Sequence, residues 1–155
     1  MISFLVMLRH RLPWMVAIAL LARSAREVVG VESVPEAVEA ARRNLRRNAI
    51  EHARFECGEA RAVLRGWARG ERAGAPRPGV VVVDPPRAGL HPRVVARTCE
   101  LAPRRIVYVS CNPGTLARDL ATLCGAGYRV TAVQPVDMFP HTPHIEVVVR
   151  LDRPA

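Results

Sequence analysis

Apolar residues in this chain alternate between short unbroken runs and stretches in which they return every three or four positions. Runs of that kind mark strands, and the returning pattern marks helices. Residues 26–32 read as a strand ending in the acid Glu32. A helix follows over 35–48, with Pro35 suited to its first turn and Ala37, Val38, Ala41 and Leu45 forming one stripe. Residues 53–57 form a short strand and 59–69 a helix. Three Gly and two Pro within 70–79 mark a surface loop. Four successive valines open the strand 80–84, the pattern of a strand buried on both faces. His91-Pro92 starts a helix that ends near Ala102. The strand 106–110 leads into a helix over 115–124, closed by Gly125 and Gly127. Strands over 128–136 and 145–151 complete the pattern. Strands alternating with helices predict an α/β fold with a mostly parallel, doubly wound, Rossmann-like sheet.

The first 21 residues fit that scheme least well. The run from Met15 to Ala22 is apolar and follows His10 and two arginines, as a signal peptide would. It is too short to span a bilayer, and nothing after it resembles an exported domain. A cytoplasmic protein with no membrane partner is expected. At 155 residues the chain has room for one domain with a core. A net charge of +9 suits a polyanionic partner such as RNA. All 23 basic residues are arginine, a bias that coding preference produces as well as function. The doublets Arg42-Arg43 and Arg46-Arg47 read either as an RNA-facing strip or as a solvated helix face.

Candidate chemistry gathers where strands end. Cys111 closes the run Ile-Val-Tyr-Val-Ser and precedes Asn-Pro-Gly and a helix. In open α/β sheets the carboxyl ends of the strands face the ligand crevice, and a helix N-terminus there suits a thiolate nucleophile. A buried structural cysteine is the other reading, and the residue alone leaves both open. Cys57, Cys99 and Cys124 form no C-x-x-C pair with it, so neither a zinc site nor a disulfide framework is indicated. They are expected in the core. Glu32 stands where an acid binds ribose hydroxyls in dinucleotide folds. Asp84 is held by two prolines and followed by Arg87, which suits phosphate or a carboxylate. The loop 137–144 contains His141 and His144, with Glu146 two residues further on. H-x-x-H-x-E is possible ligand spacing but completes no metal cluster, so no metal is expected. The histidines suit hydrogen bonds within the loop or contacts with RNA.

Three blocks carry a resemblance: Asp84-Pro85-Pro86-Arg87-Ala88-Gly89, Ser110-Cys111-Asn112-Pro113-Gly114-Thr115 and Phe139-Pro140-His141-Thr142-Pro143-His144-Ile145-Glu146. In this order they resemble the signature blocks of the RNA uracil-5-methyltransferases, which act on tRNA or ribosomal RNA. The resemblance runs from Ala22 to Leu151. It implies a class I S-adenosylmethionine-dependent methyltransferase fold over residues 22–155, after an aberrant segment 1–21. It makes Cys111 the nucleophile that adds to C6 of uracil and Glu146 the base that removes the C5 proton. It gives S-adenosylmethionine as cofactor, with Glu32 at its ribose and Asp84 at cofactor or base. RNA is the partner, with Arg87, His141 and His144 as candidate contacts.

The chain departs from the family's pattern before Ala22. A D-x-x-C-G-x-G-x-F-type strand and glycine loop belongs there, but Arg9-His10-Arg11-Leu12-Pro13-Trp14-Met15 contains no glycine. The family's N-terminal RNA-binding barrel and cluster cysteines are absent as well. These departures lead to the expectation of an N-terminally truncated or frame-disrupted copy that binds S-adenosylmethionine weakly. Residues 2–8 are the candidate replacement for the missing central strand. Two other functions remain open at this point. An exocyclic-amine methyltransferase would use the Asp-Pro-Pro block without Cys111 or Glu146, and a non-catalytic RNA-binding remnant would need neither.

Overall fold

The computed structural model of the chain describes residues 2–7, 25–76, 78–138 and 140–154. Its strands are β1 (Ile2–Met7), β2 (Ala25–Glu32), β3 (Ala53–Cys57), β4 (Val80–Val83), β5 (Arg105–Ser110), β6 (Arg129–Val136) and β7 (Glu146–Asp152). Its helices are α1 (Pro35–Arg47), α2 (Ala60–Ala68), α3 (Pro92–Leu101) and α4 (Pro113–Gly125). The strands form one sheet in the order β3-β2-β1-β4-β5-β7-β6. β1 pairs in parallel with both β2 and β4, the central place expected for residues 2–8. The glycine-free segment 9–15 lies outside the described residues.

Two apolar layers sandwich the sheet, and strand alternation decides which residues enter each. Val28, Val80 and Val82 pack with Val38, Ala41 and Leu45 of α1 on one face. Val29, Val31, Val81 and Val83 point the other way, into a larger core with Val63 and Trp67 of α2, Val94 of α3 and Leu116 of α4. All four valines of β4 are buried, as a central parallel strand requires.

The doubly wound pattern breaks at the far edge. β7 runs antiparallel between β5 and β6, so β6 becomes the outer strand. Seven of its eight residues are exposed, and Pro135, which has no N–H to donate, is tolerated there. α4 starts at Pro113 rather than at Thr115. Asn-Pro-Gly is therefore not a break but a cap and first turn: the Asn112 side chain accepts from Gly114 N, and Pro113 needs no partner.

Candidate active site

The Asp84-Pro-Pro-Arg87 turn leaves the end of β4 and is fixed against the start of α4. The carbonyl of Arg87 accepts from Asn112 Nδ2 at 3.0 Å, and Thr115 Oγ1 lies at the same distance. Two of the sequence blocks are thus tied by one backbone oxygen. The third reaches them through His144, whose Nδ1 is 3.5 Å from Arg87 Nη1. His141 is exposed and in the left-handed backbone region at φ 67°.

Cys111 sits in a turn closed by the hydroxyl before it. Ser110 Oγ donates to Asn112 O and accepts from Asn112 N, both at 3.1 Å. The thiol is half-buried, directly before α4. Ser110 pairs with Val147 across β5 and β7. Cys111 and Glu146 are the chain neighbours of this last pair, so both stand at the same end of the β5–β7 ladder. Glu146 is half-buried at the first position of β7. Cys57 and Cys124 are exposed and not in the core as expected, because each stands at the end of its element. Cys99 is partly buried in α3, and that burial pushes its thiol up.

A cavity of about 570 Å³ opens at the carboxyl ends of β2 and β4. Val31, Pro85, Leu90 and Val94 supply apolar wall, and Ser33 and Asp84 supply polar groups. Glu32, 7% exposed, is not part of the lining, although its chain neighbours Val31 and Ser33 are. Its Oε1 accepts from Val34 N at 2.8 Å and Ser33 Oγ at 3.2 Å, which fixes the carboxylate's orientation. Cys111 and Glu146 are not part of the cavity lining. Among the described residues no group of three or more His, Cys, Asp or Glu is placed to hold a metal ion.

Sequence reasoning missed the groups that hold this frame. Asp119, 3% exposed, accepts from Tyr108 Oη at 2.7 Å and from Leu90 N at 2.6 Å. Arg118 donates to its other oxygen and to the carbonyl of Ala88. The carboxylate so fixes the backbone that follows Arg87. Burial first, and the hydrogen bond to Asp119 second, push the Tyr108 hydroxyl far up. Gly89 has φ +80°, and a Cβ there would stand 2.5 Å from Arg118 Nη2 and 2.6 Å from Asp119 Oδ2. A signal for Asp119 exists in the sequence: it shares the stripe of Leu116 and Leu123, where a carboxylate needs a built-in partner.

Residues 16–154 match the family model for tRNA (uracil-5-)-methyltransferase. The chain belongs to that family. It is 49% identical over 131 residues to a protein of Nitratidesulfovibrio vulgaris named an uncharacterized RNA methyltransferase, covering 84% of this chain and 28% of that protein. A Bacteroides thetaiotaomicron protein with the same description is 51% identical over 130 residues, with the same coverage. The chain therefore spans little more than a quarter of the length of these relatives. Among solved structures, the tRNA (uracil-54, C5)-methyltransferase of Pyrococcus abyssi in complex with S-adenosyl-L-homocysteine superposes with a TM-score of 0.73 at 39% identity. That match covers 96% of this chain and 33% of the Pyrococcus protein. NSun6 of Pyrococcus horikoshii, at 13% identity and a TM-score of 0.68, shares the fold. The Rossmann-like methyltransferase fold read from the sequence is thus that of the family and of these structures.

Proposed function

We propose that this domain transfers a methyl group from S-adenosylmethionine to C5 of a uridine in tRNA or ribosomal RNA, through a covalent bond between Cys111 and C6 of the base. The observation that supports this reading is the pairing of Ser110 with Val147, which brings the neighbouring Cys111 and Glu146 to one end of the sheet, with the Asp84 turn tied to the start of α4 beside Cys111. When bound, S-adenosylmethionine supplies an electrophilic methyl group on a sulfonium. The cavity suits its adenosine half: its volume is in the range of small-molecule sites and it has apolar walls for a flat base, while Glu32, between two lining residues, is the proposed acceptor for the ribose hydroxyls.

C5 of uracil is too poor a nucleophile to take a methyl group unaided. Addition of the Cys111 thiolate at C6 would convert the ring to an enolate and so make C5 nucleophilic toward the methyl group that bound S-adenosylmethionine would supply. Glu146 then removes the C5 proton, and the returning electron pair expels the thiolate. Covalent catalysis of this kind divides one hard step into easier ones. The base must leave its stack to reach a thiol in a turn, so base flipping is part of the reading. Arg87 and His144, 3.5 Å apart, are the proposed RNA contacts.

Fluorine at C5 cannot be removed as a proton, so RNA containing 5-fluorouracil should trap the adduct. Incubated with millimolar S-adenosylmethionine, the chain should give a protein–RNA band that survives denaturing electrophoresis. Cys111→Ala should give none. RNA binding with no band in the unaltered chain would favour a non-catalytic remnant. Methylation of an exocyclic amine that persists in Cys111→Ala would favour the other enzyme chemistry.

A further inference from the structure

A second cleft, of about 500 Å³, lies between α2 and α3 and has a composition unlike the first. Arg61, Arg65 and Arg69 line it from α2, and Arg93 and Arg97 from α3, against the single acid Glu100. The remaining two lining residues are alanines, too small to fill it. Arginines four residues apart stand above one another on a helix, and like charges at that spacing destabilise it. Arg69 has a 3.6 Å pairing with Glu71, and Arg97 a 2.5 Å pairing with Glu100. Arg61, Arg65 and Arg93 have no ion pair among the described residues. Five convergent guanidinium groups with one acid are a poor arrangement for a helix pair that binds nothing.

The groove is also in the right place. Arg61 lines both this cleft and the cavity at the strand ends, so the two are neighbours. From there Arg65 and Arg69 extend the positive track by about 12 Å along α2. The arginine doublets of α1 compare badly. Arg46 and Arg47 sit in that helix's last turn, where they complement its dipole, at the edge of the sheet away from the crevice. Arg42 is used by Glu39 and the carbonyl of Phe55.

We propose that the α2–α3 groove binds the phosphodiester backbone of the RNA flanking the flipped nucleotide. Arginine's planar fork meets phosphate oxygens two at a time, and a row of such forks, three of the five without an ion pair among the described residues, suits a chain of evenly spaced phosphates. This rests on the reading of the crevice as an RNA-modifying site, and it names a surface that no sequence block marks.

The test is fluorescence anisotropy of labelled single-stranded RNA with the purified chain, across a salt series. In the triple variant Arg65→Gln, Arg69→Gln, Arg93→Gln, the slope of log affinity against log salt should fall by about 2, since each single-strand phosphate contact contributes ~0.7. Arg65→Gln alone should lower it by about 0.7. The α1 triple Arg43→Gln, Arg46→Gln, Arg47→Gln loses the same charge and should keep the slope. An unchanged slope in the groove triple, or equal losses in both triples, would overturn the proposal. So would loss of polyglutamate binding with RNA binding intact, which would assign the groove to an acidic protein segment. The fluorouracil adduct is read separately: a slope that falls without any adduct keeps the groove and removes the uridine chemistry, and the reverse result does the opposite.

Discussion

At the scale of single residues, the site depends on groups that touch no substrate. Tyr108 donates to a buried carboxylate that also holds Leu90 and Arg118. Tyr108→Phe leaves that carboxylate short of one donor, and hydrogen bonds to charged groups contribute about 1.5–3 kcal/mol. Urea denaturation should show a loss of about 2 kcal/mol. A result within error of the unaltered protein would mean that Arg118 and Leu90 suffice. Gly89→Ala should cost at least as much, because φ +80° is unfavourable for alanine and the new methyl meets the Asp119 carboxylate. Glu146 has a different signature. As the base for C5 deprotonation, it acts after methyl transfer, so Glu146→Gln should accumulate a methylated covalent complex with ordinary RNA. Turnover at the unaltered rate in that variant would remove the role.

At the scale of elements, the periodicity located the helices and strands from β2 onward, most clearly where an element buries a simple apolar face, whereas β1 was expected only as the replacement for a missing central strand. Val80–Val83 and the Val38, Ala41, Leu45 stripe are examples in which burial alone sets the pattern. Strand order is a different matter. Nothing in 145–151 tells whether it joins β5 or β6, because pairing partners leave no periodic mark on either strand. The start of α4 was misplaced for a local reason: Asn-Pro-Gly reads as a turn until Asn112 is seen capping it. Cys111, Asp84 and Glu146 were legible because each ends or begins a strand. The arginine groove was not, since its residues are divided between two helices far apart in sequence. The far edge of the sheet also carries a pH signature. Asp152 on β7 accepts from Thr131 on β6 and Arg105 on β5, and these bonds hold its carboxyl below the usual 3.8. A lowered carboxyl contributes stability that is full above the unfolded value and is lost as pH falls through the folded one. Asp152→Asn should therefore destabilise the chain modestly at neutral pH. The difference from the unaltered protein should shrink below about pH 4. A difference that is constant from pH 7 to pH 3 would show that the ionised form is not what matters.

At the scale of the whole molecule, a central strand, a crevice at the strand ends and a basic groove leading from it lie within one sheet and its helices. β1 completes the sheet without any glycine before Gly30. Glycines in that loop allow the backbone to approach the cofactor closely. Without two or three hydrogen bonds of ~1 kcal/mol each, affinity falls on the order of a hundredfold. Isothermal titration should accordingly give weak S-adenosylmethionine binding by this chain, and a micromolar constant would mean that residues 1–21 rebuild the loop. The central claim concerns the thiol. It is tested most directly by digesting the protein–RNA complex trapped on 5-fluorouracil RNA and sequencing the modified peptide by mass spectrometry. The account predicts that methylated fluorouridine is attached to Cys111 and to no other cysteine. Attachment at Cys57, Cys99 or Cys124, or a modified peptide that persists in Cys111→Ala, would contradict it.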